Sequence, residues 1–205
     1  MKNTMKRPVS ILISKLRPFE GHPFKVRDDE EMNTLIESVQ TQGILSPLIV
    51  RPIENTDEYE VISGHRRLHA AQKAGISEVP ALIYALDRDA AAIAVVDSNL
   101  HREHILPSEK AFAYKMKLEA MKRQGQKRVG TSPQNGEKLK ENYSVSILGE
   151  QVKESATQIQ RYVRLNLLIP PLVEAVDKGF LKLAPAAHFL SHLSEKEQTY
   201  LLLVM

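Results

Sequence analysis

Every strand-like segment of this chain lies before Asp87, and from there to the end only helical patterns occur. A chain of 205 residues written this way predicts an α+β domain followed by an all-α one, with the boundary near residue 97. The first part alternates short units. VSILISKLRP reads as one short strand running into Pro18. Asp28 or Asp29 can cap a helix, with Glu31 three residues after Asp28 as a capping box requires. Met32, Leu35, Ile36 and Val39 form its apolar stripe, and Gly43 ends it. SPLIVRPI and YEVI read as strands joined by the polar turn ENTDE. A helix from His65 to Ala74 is closed by Gly75, and VPALIYAL is a further strand.

The second part opens with the helical DRDAAAIAVVDSNL, and Pro107-Ser108 starts the next helix, striped by Ala111, Tyr114, Leu118 and Met121. Residues 123–143 hold four helix breakers (Gly125, Gly130, Pro133, Gly136) and little apolar surface, which predicts a flexible loop. Helices resume to the end, and the chain stops at TYLLLVM inside an apolar helical pattern, as a shortened chain would.

Composition excludes several classes. There is no cysteine, so disulfides, thiolate catalysis and cysteine zinc sites are out. No run of 18 apolar residues exists to span a membrane, and the apolar run of the first segment is too short for a signal peptide; a cytoplasmic protein is expected. The net charge of +3 is uneven. Residues 1–97 carry 12 Lys and Arg against 14 Asp and Glu, and residues 98–205 carry 16 against 11. A second half at +5 points toward a nucleic-acid partner.

SVSILGEQVKESATQIQRYVRLNLLIP, residues 144–170, has the pattern of a helix-turn-helix. Ile147, Leu148 and Val152 face inward on the first helix, and Gly149 sits where close packing needs a small residue. Ser155 caps the second helix, which buries Ile159, Tyr162 and Val163. Its outer side offers Ser155, Thr157, Gln158, Gln160, Arg161 and Arg164 as DNA-contact candidates, because Gln and Arg form bidentate contacts to base edges. An αα-hairpin with a polar solvent face fits the same residues. Lys153 stands in the turn where many such motifs have glycine.

In VISGHRRLHAAQKAG, a strand ends at Ser63-Gly64 and a helix begins at once. Helix N-termini bind phosphate, glycine lets an anion approach the backbone, and guanidinium groups add paired donors. Gly64, His65, Arg66 and Arg67 therefore make a candidate phosphate cradle, against the plainer reading of a solvated helix start. It is not a P-loop, since GxxxxGK[ST] is absent. DSNLHRE, residues 97–103, pairs Asn99 with Arg102 near a helix boundary; Asn99 can reach a phosphate-bound metal or cap the helix at Pro107. His65/His69 and His101/His104 have metal-compatible spacing but no third ligand, so they read as surface histidines.

Taken in order, GILSPLIV (43–50), YEVISGHRRLHAAQKAGISEVPALI (59–83), DSNLHREHILPSEKAFAY (97–114) and the helix-turn-helix resemble the ParB family of chromosome and plasmid partition proteins. The resemblance looks closest to ParB-like proteins of plasmids and mobile elements. It implies a ParB/sulfiredoxin-like first domain that binds CTP and Mg²⁺, with Gly64, His65, Arg66 and Arg67 at the phosphates. By the same resemblance Asn99 is the metal-side residue, Arg102 supports the site and Ser46 lies near the base. It also implies a dimeric clamp on a palindromic, centromere-like (parS-like) DNA site, a ParA-type ATPase partner and a nucleoid- or plasmid-associated location.

Three departures qualify this. His65 stands where relatives that hydrolyse CTP typically have Glu, and Ser98 where they have Glu ahead of Asn-Leu, so nucleotide binding is expected with weak or absent turnover. APAAH (184–188) replaces the family's Gly-His-Ala-Arg segment, so DNA contacts there differ. The competing readings are a transcriptional regulator of the same superfamily and a metal-dependent nuclease using Asp97 and Glu103 beside Asn99. Sulfiredoxin chemistry needs a cysteine in the glycine-arginine box and is excluded.

Overall fold

The computed structural model describes residues 7–100, 102, 104–128 and 136–204, with side chains for those up to 125 and from 144 to 203. The chain divides into two compact units, 1–98 and 99–205.

Unit 1 is a five-stranded mixed sheet with three helices. Its strands are β1 (Val9–Leu12), β2 (Leu16–Pro18), β3 (Leu48–Pro52), β4 (Tyr59–Ser63) and β5 (Glu78–Ile83), in the order β1-β5-β3-β4-β2. β1 is antiparallel to β5, β5 parallel to β3, β3 antiparallel to β4, and β4 parallel to β2. The single strand expected over VSILISKLRP is therefore two strands, separated by a 3-10 turn at Ile13–Lys15. The reason is topological: β1 closes one edge of the sheet and β2 the other, which one straight strand cannot do. Ile13 N–H bonds the Ser77 carbonyl as the chain crosses over.

The helices are α1 (Glu30–Gln42), α2 (His65–Lys73) and α3 (Arg88–Asp97). Asp29, not Asp28, caps α1, accepting from Met32 N–H at 2.9 Å. Asp28 instead bonds His69 at 2.6 Å, and Glu31 pairs with Arg66 at 3.2 Å rather than closing a capping box. The predicted stripe of α1 packs on the sheet as expected: Met32 and Val39 are buried, and Leu35 and Ile36 partly so. Leu48, Val50, Val61, Val79 and Ala81 fill the centre of that core, and Leu68, Ala70 and Ala71 of α2 cover it. Each buried aliphatic side chain of leucine size contributes about 1.5–3 kcal/mol, enough to fix which face of α2 turns inward.

Unit 2 is helical: α4 (Pro107–Arg128), α5 (Gly136–Val152), α6 (Ala156–Arg164), α7 (Pro170–Asp177), α8 (Leu183–His188) and α9 (Glu195–Val204). Helix reaches into both ends of the stretch expected as a loop, 123–143. α4 runs through Gly125 to Arg128, and α5 begins at Gly136. Gly136 stands at the start of α5, where it interrupts nothing, and the Glu-Lys-rich residues behind it are strong helix formers. Residues 129–135 lie outside the described ones. Ser108 bonds the Asp177 carboxylate through both N–H (2.8 Å) and hydroxyl (2.6 Å), tying the start of α4 to the end of α7. Buried Gln198 of α9 bonds Ile169 N–H, Leu167 O and Leu193 O, satisfying an otherwise irregular stretch. No described helix is long and apolar enough to cross a membrane.

Candidate functional site

The glycine-arginine box sits where β4 delivers the chain to α2. Gly64 is the residue before the helix and adopts φ 103°, the left-handed region that favours glycine. A Cβ there would stand 3.0 Å from Leu48 Cγ and 3.2 Å from a guanidinium nitrogen of Arg67, so the backbone is held against both. The N–H groups of the first turn of α2 have no partner within the helix, which leaves donors at this end. The cradle thus has the form that a phosphate requires, a bare backbone at a helix start.

The two arginines differ. Arg67 turns back under the box and donates to the carbonyls of Ser46 and, at 2.8 Å, Pro47. It brings the GILSPLIV segment to the box, and burial lowers its pKa without discharging a guanidinium. Arg66 is held more loosely, 3.2 Å from Glu31 and 3.7 Å from Asp29. Ser46 is exposed, beside a Leu45 that is 78% exposed. His65, the first residue of α2, is stacked on His22 with ring centroids 3.7 Å apart. Burial pushes its pKa down to about 3, with the neighbouring His22 adding to the effect.

Two features of this region carried little sequence signal. His22 comes from a loop 43 residues earlier in the chain. Buried Glu60 on β4 bonds Arg51 at 2.6 Å and Arg88 at 2.7 Å, and accepts from Glu20 N–H at 3.1 Å. A glutamate inside the apolar run of β4 is the one trace of it in the sequence.

Asn99 and Arg102 open unit 2, where Arg102 N–H bonds the Asn99 carbonyl at 3.1 Å. At the start of α4 the Glu109 carboxylate accepts from Leu106 N–H at 3.0 Å. His69 is engaged with Asp28, and His104 is exposed. Among the described residues no group of three His, Asp or Glu stands where it can hold a metal ion. Asp97 is exposed at the end of α3; Glu103 and His101 lie outside the described residues.

In unit 2, α5 and α6 form the predicted helix-turn-helix. Leu148 and Ile159 are fully buried, and Ile147, Val152, Tyr162 and Val163 partly so. The Ser155 hydroxyl caps α6 by accepting from Gln158 N–H at 3.2 Å. Lys153 occupies the turn at φ 56°, the conformation for which other motifs use glycine. Lys153→Gly is therefore expected to stabilise unit 2 by up to about 1 kcal/mol, less what glycine adds to the freedom of the unfolded chain. Urea unfolding of the full chain checks this; a loss of stability would show that the lysine side chain outweighs its backbone strain.

Thr157, Gln160 and Arg161 are exposed on the outer side of α6, with Gln158 and Arg164 half-buried; Arg161 donates to Gln158 Oε1 at 3.3 Å. Thr157, Gln160, Arg161 and Arg164 line one wall of a cleft of about 500 Å³. The other wall is α8 and Phe189, so the departing APAAH segment faces the predicted DNA-contact side chains.

A family model described as the ParB N-terminal domain matches residues 2–100. These residues belong to the ParB N-terminal domain family. Two curated relatives align across both units. The chromosome-partitioning protein Spo0J of Thermus thermophilus is 31% identical over 172 residues, covering 83% of this chain and 55% of that protein. The nucleoid occlusion protein of Listeria innocua is 31% identical over 199 residues, covering 97% and 62%. The chain spans little more than half the length of these relatives. A crystal structure of C-terminally truncated ParB from Caulobacter crescentus, complexed to the centromeric parS site, covers 96% of this chain and 100% of that one with TM-score 0.52 at 21% identity. That likeness shows the fold alone: a mixed sheet-and-helix domain followed by a helical unit.

Proposed function

We propose that this chain is the nucleotide- and DNA-binding part of a ParB-type partition protein, which binds a parS-like palindrome through α6 and CTP through the glycine-arginine box. The observation that carries the reading is the pairing, in one chain and in family order, of a ParB N-terminal domain with a capped helix-turn-helix. Gly64, His65, Arg66 and Arg67 are the phosphate residues; the N–H groups at the start of α2, with no side-chain cap, fit such a group. Ser46, drawn in by Arg67, is the residue near the base. Asn99, as the metal-side residue, and Arg102 as its support follow from the Asn-Leu-x-Arg resemblance. Bound Mg²⁺ would supply charge neutralisation for the triphosphate. DNA contacts come from Ser155, Thr157, Gln158, Gln160, Arg161 and Arg164. A ParA-type ATPase and dimeric clamping belong to the same proposal. Turnover of CTP is weak or absent, because His65 offers no carboxylate to orient water.

Titration of CTP, ATP, GTP and UTP with Mg²⁺, with and without palindromic DNA, tests the reading. CTP is expected to bind best, and Arg66→Ala to weaken it about tenfold or more, as for a charged phosphate contact. Its partners Asp29 and Glu31 are surface acids, so the fold is expected to survive this change. Equal, weak binding of all four nucleotides, untouched by the substitution, would sink the CTP site; no preference for the palindrome over random DNA would sink the DNA half. A role in nucleoid occlusion is the second reading, favoured by the Listeria innocua relative that aligns over 97% of the chain.

A further inference from the structure

The loop before α1 is tied down at its start and reaches the box at its end. Phe19 is buried beneath the Arg88 guanidinium, 4.3 Å from its ring. Glu20 N–H bonds Glu60 at 3.1 Å, and its carbonyl accepts from Arg88 at 2.9 Å. The chain then turns at Gly21 (φ 73°), with His22 N–H bonding the Phe19 carbonyl at 3.0 Å, and is buried again at Phe24. This turn lays the His22 ring on His65, centroids 3.7 Å apart and planes at 37°.

The stack suits two neutral rings. His22 Nδ1 lies 2.7 Å from the Phe24 carbonyl, which only accepts, so the ring's proton sits on Nδ1. His65 Nε2 is buried and, among the described residues, has no hydrogen-bond partner. A proton added to the His65 ring would create a charge that burial opposes, 3.7 Å from a second imidazole. The surrounding acids are already engaged: Asp28 with His69 and Lys73, Asp29 and Glu31 with Arg66, and Glu20 with Arg88. Arg66 and Arg67, which follow His65 on α2, are cations and offer no acceptor to a protonated ring.

We propose that His22 is a positioning residue of the glycine-arginine box, and that the His22–His65 stack is a latch holding the first turn of α2 in its ligand-ready form only while both rings are uncharged. This rests on the nucleotide-binding reading above. The sign follows from linkage. The stacked form holds His65 neutral down to about pH 3, whereas an unstacked histidine takes a proton near its ordinary 6.5. The latch is therefore fully closed above pH 6.5 and is opened by acid, over the window between those two values.

The test measures the Kd of CTP–Mg²⁺ for the full chain between about pH 7.5 and 5.5, with imidazole NMR shifts recorded in parallel. Wild type is expected to lose about tenfold in affinity over that range, from one proton per opened latch. His22→Phe keeps a ring on His65 but takes away the second imidazole, and its fall is expected to be about threefold or less. This comparison cancels the titration of the nucleotide itself. In the free protein the His65 ring should take up its proton in step with the loss of affinity, and in the CTP-bound protein it should stay neutral over the same range. Measurable binding with equal pH slopes in the two proteins, or a His65 ring that stays neutral in the free protein while affinity falls, overturns the latch and leaves the nucleotide site standing. Binding too weak to measure at every pH removes that site and the latch with it.

Discussion

Glu60→Ala is expected to cost unit 1 about 3 kcal/mol. The Glu60 side chain is 7% exposed and answers two cations, Arg51 at 2.6 Å and Arg88 at 2.7 Å. Arg51 is itself 16% exposed, so losing Glu60 strands a guanidinium in a poorly hydrated place. Removing one partner of a buried ion pair typically costs about 3–5 kcal/mol, and the lower end applies because Arg88 is 44% exposed and can rehydrate. Glu20 N–H loses its acceptor in the same step. Glu60→Gln keeps one acceptor and the shape, and should cost roughly half as much.

In a chain of two units a single melting temperature averages both. Amide exchange on the full chain, which separates unit 1 from unit 2, is the measurement that decides. A change below about 1 kcal/mol would mean that the cluster adds nothing beyond surface charge. The substitution also has a local reach, because Glu60 anchors the loop that carries His22.

Gly149→Ala is expected to cost unit 2 about 1–3 kcal/mol and, on the proposed function, to abolish DNA binding. A Cβ on Gly149 would lie 2.7 Å from the backbone carbonyl oxygen of Glu154, a distance that real Cβ atoms do not show. The obstacle is backbone and cannot rotate aside, so α5 and the turn must part, with the cost of an overpacked core. The same turn is closed by the Glu154 N–H bond to the Gly149 carbonyl at 3.0 Å. Separation there also strains the Lys110–Glu154 contact at 2.6 Å that ties the turn to α4. Urea unfolding and a binding titration on palindromic DNA read the two consequences. Unchanged stability with unchanged binding would show that the turn can open without consequence. Gly125→Ala, in open space on α4, serves as the contrast and should be neutral or slightly stabilising.

Much of this was legible in the sequence because it is local. The α1 stripe of Met32, Leu35, Ile36 and Val39, the Ser155 cap and the Gly64 turn each follow from periodicity or backbone freedom within a few residues. The misreadings were also local. One apolar run became two strands because opposite sheet edges needed covering, which no window of ten residues encodes. Glycines at 125 and 136 read as loop, yet one is tolerated in mid-helix and the other begins a helix. Choosing Asp28 over Asp29 as a cap is undecidable from spacing; the pull of His69 on Asp28 settles it.

By itself, then, the sequence determined the α+β and helical halves, the glycine at the box and the capped second helix of the helix-turn-helix. These depend on near neighbours along the chain, whose preferences are written in residue type. Tertiary structure alone decided what the charged and polar groups do. It turned Arg67 inward to Ser46 and Pro47, buried Glu60 between two arginines and laid His22 on His65. Such partners lie from 9 to 43 residues apart, and burial sets both their charge state and their strength; only the folded chain establishes either.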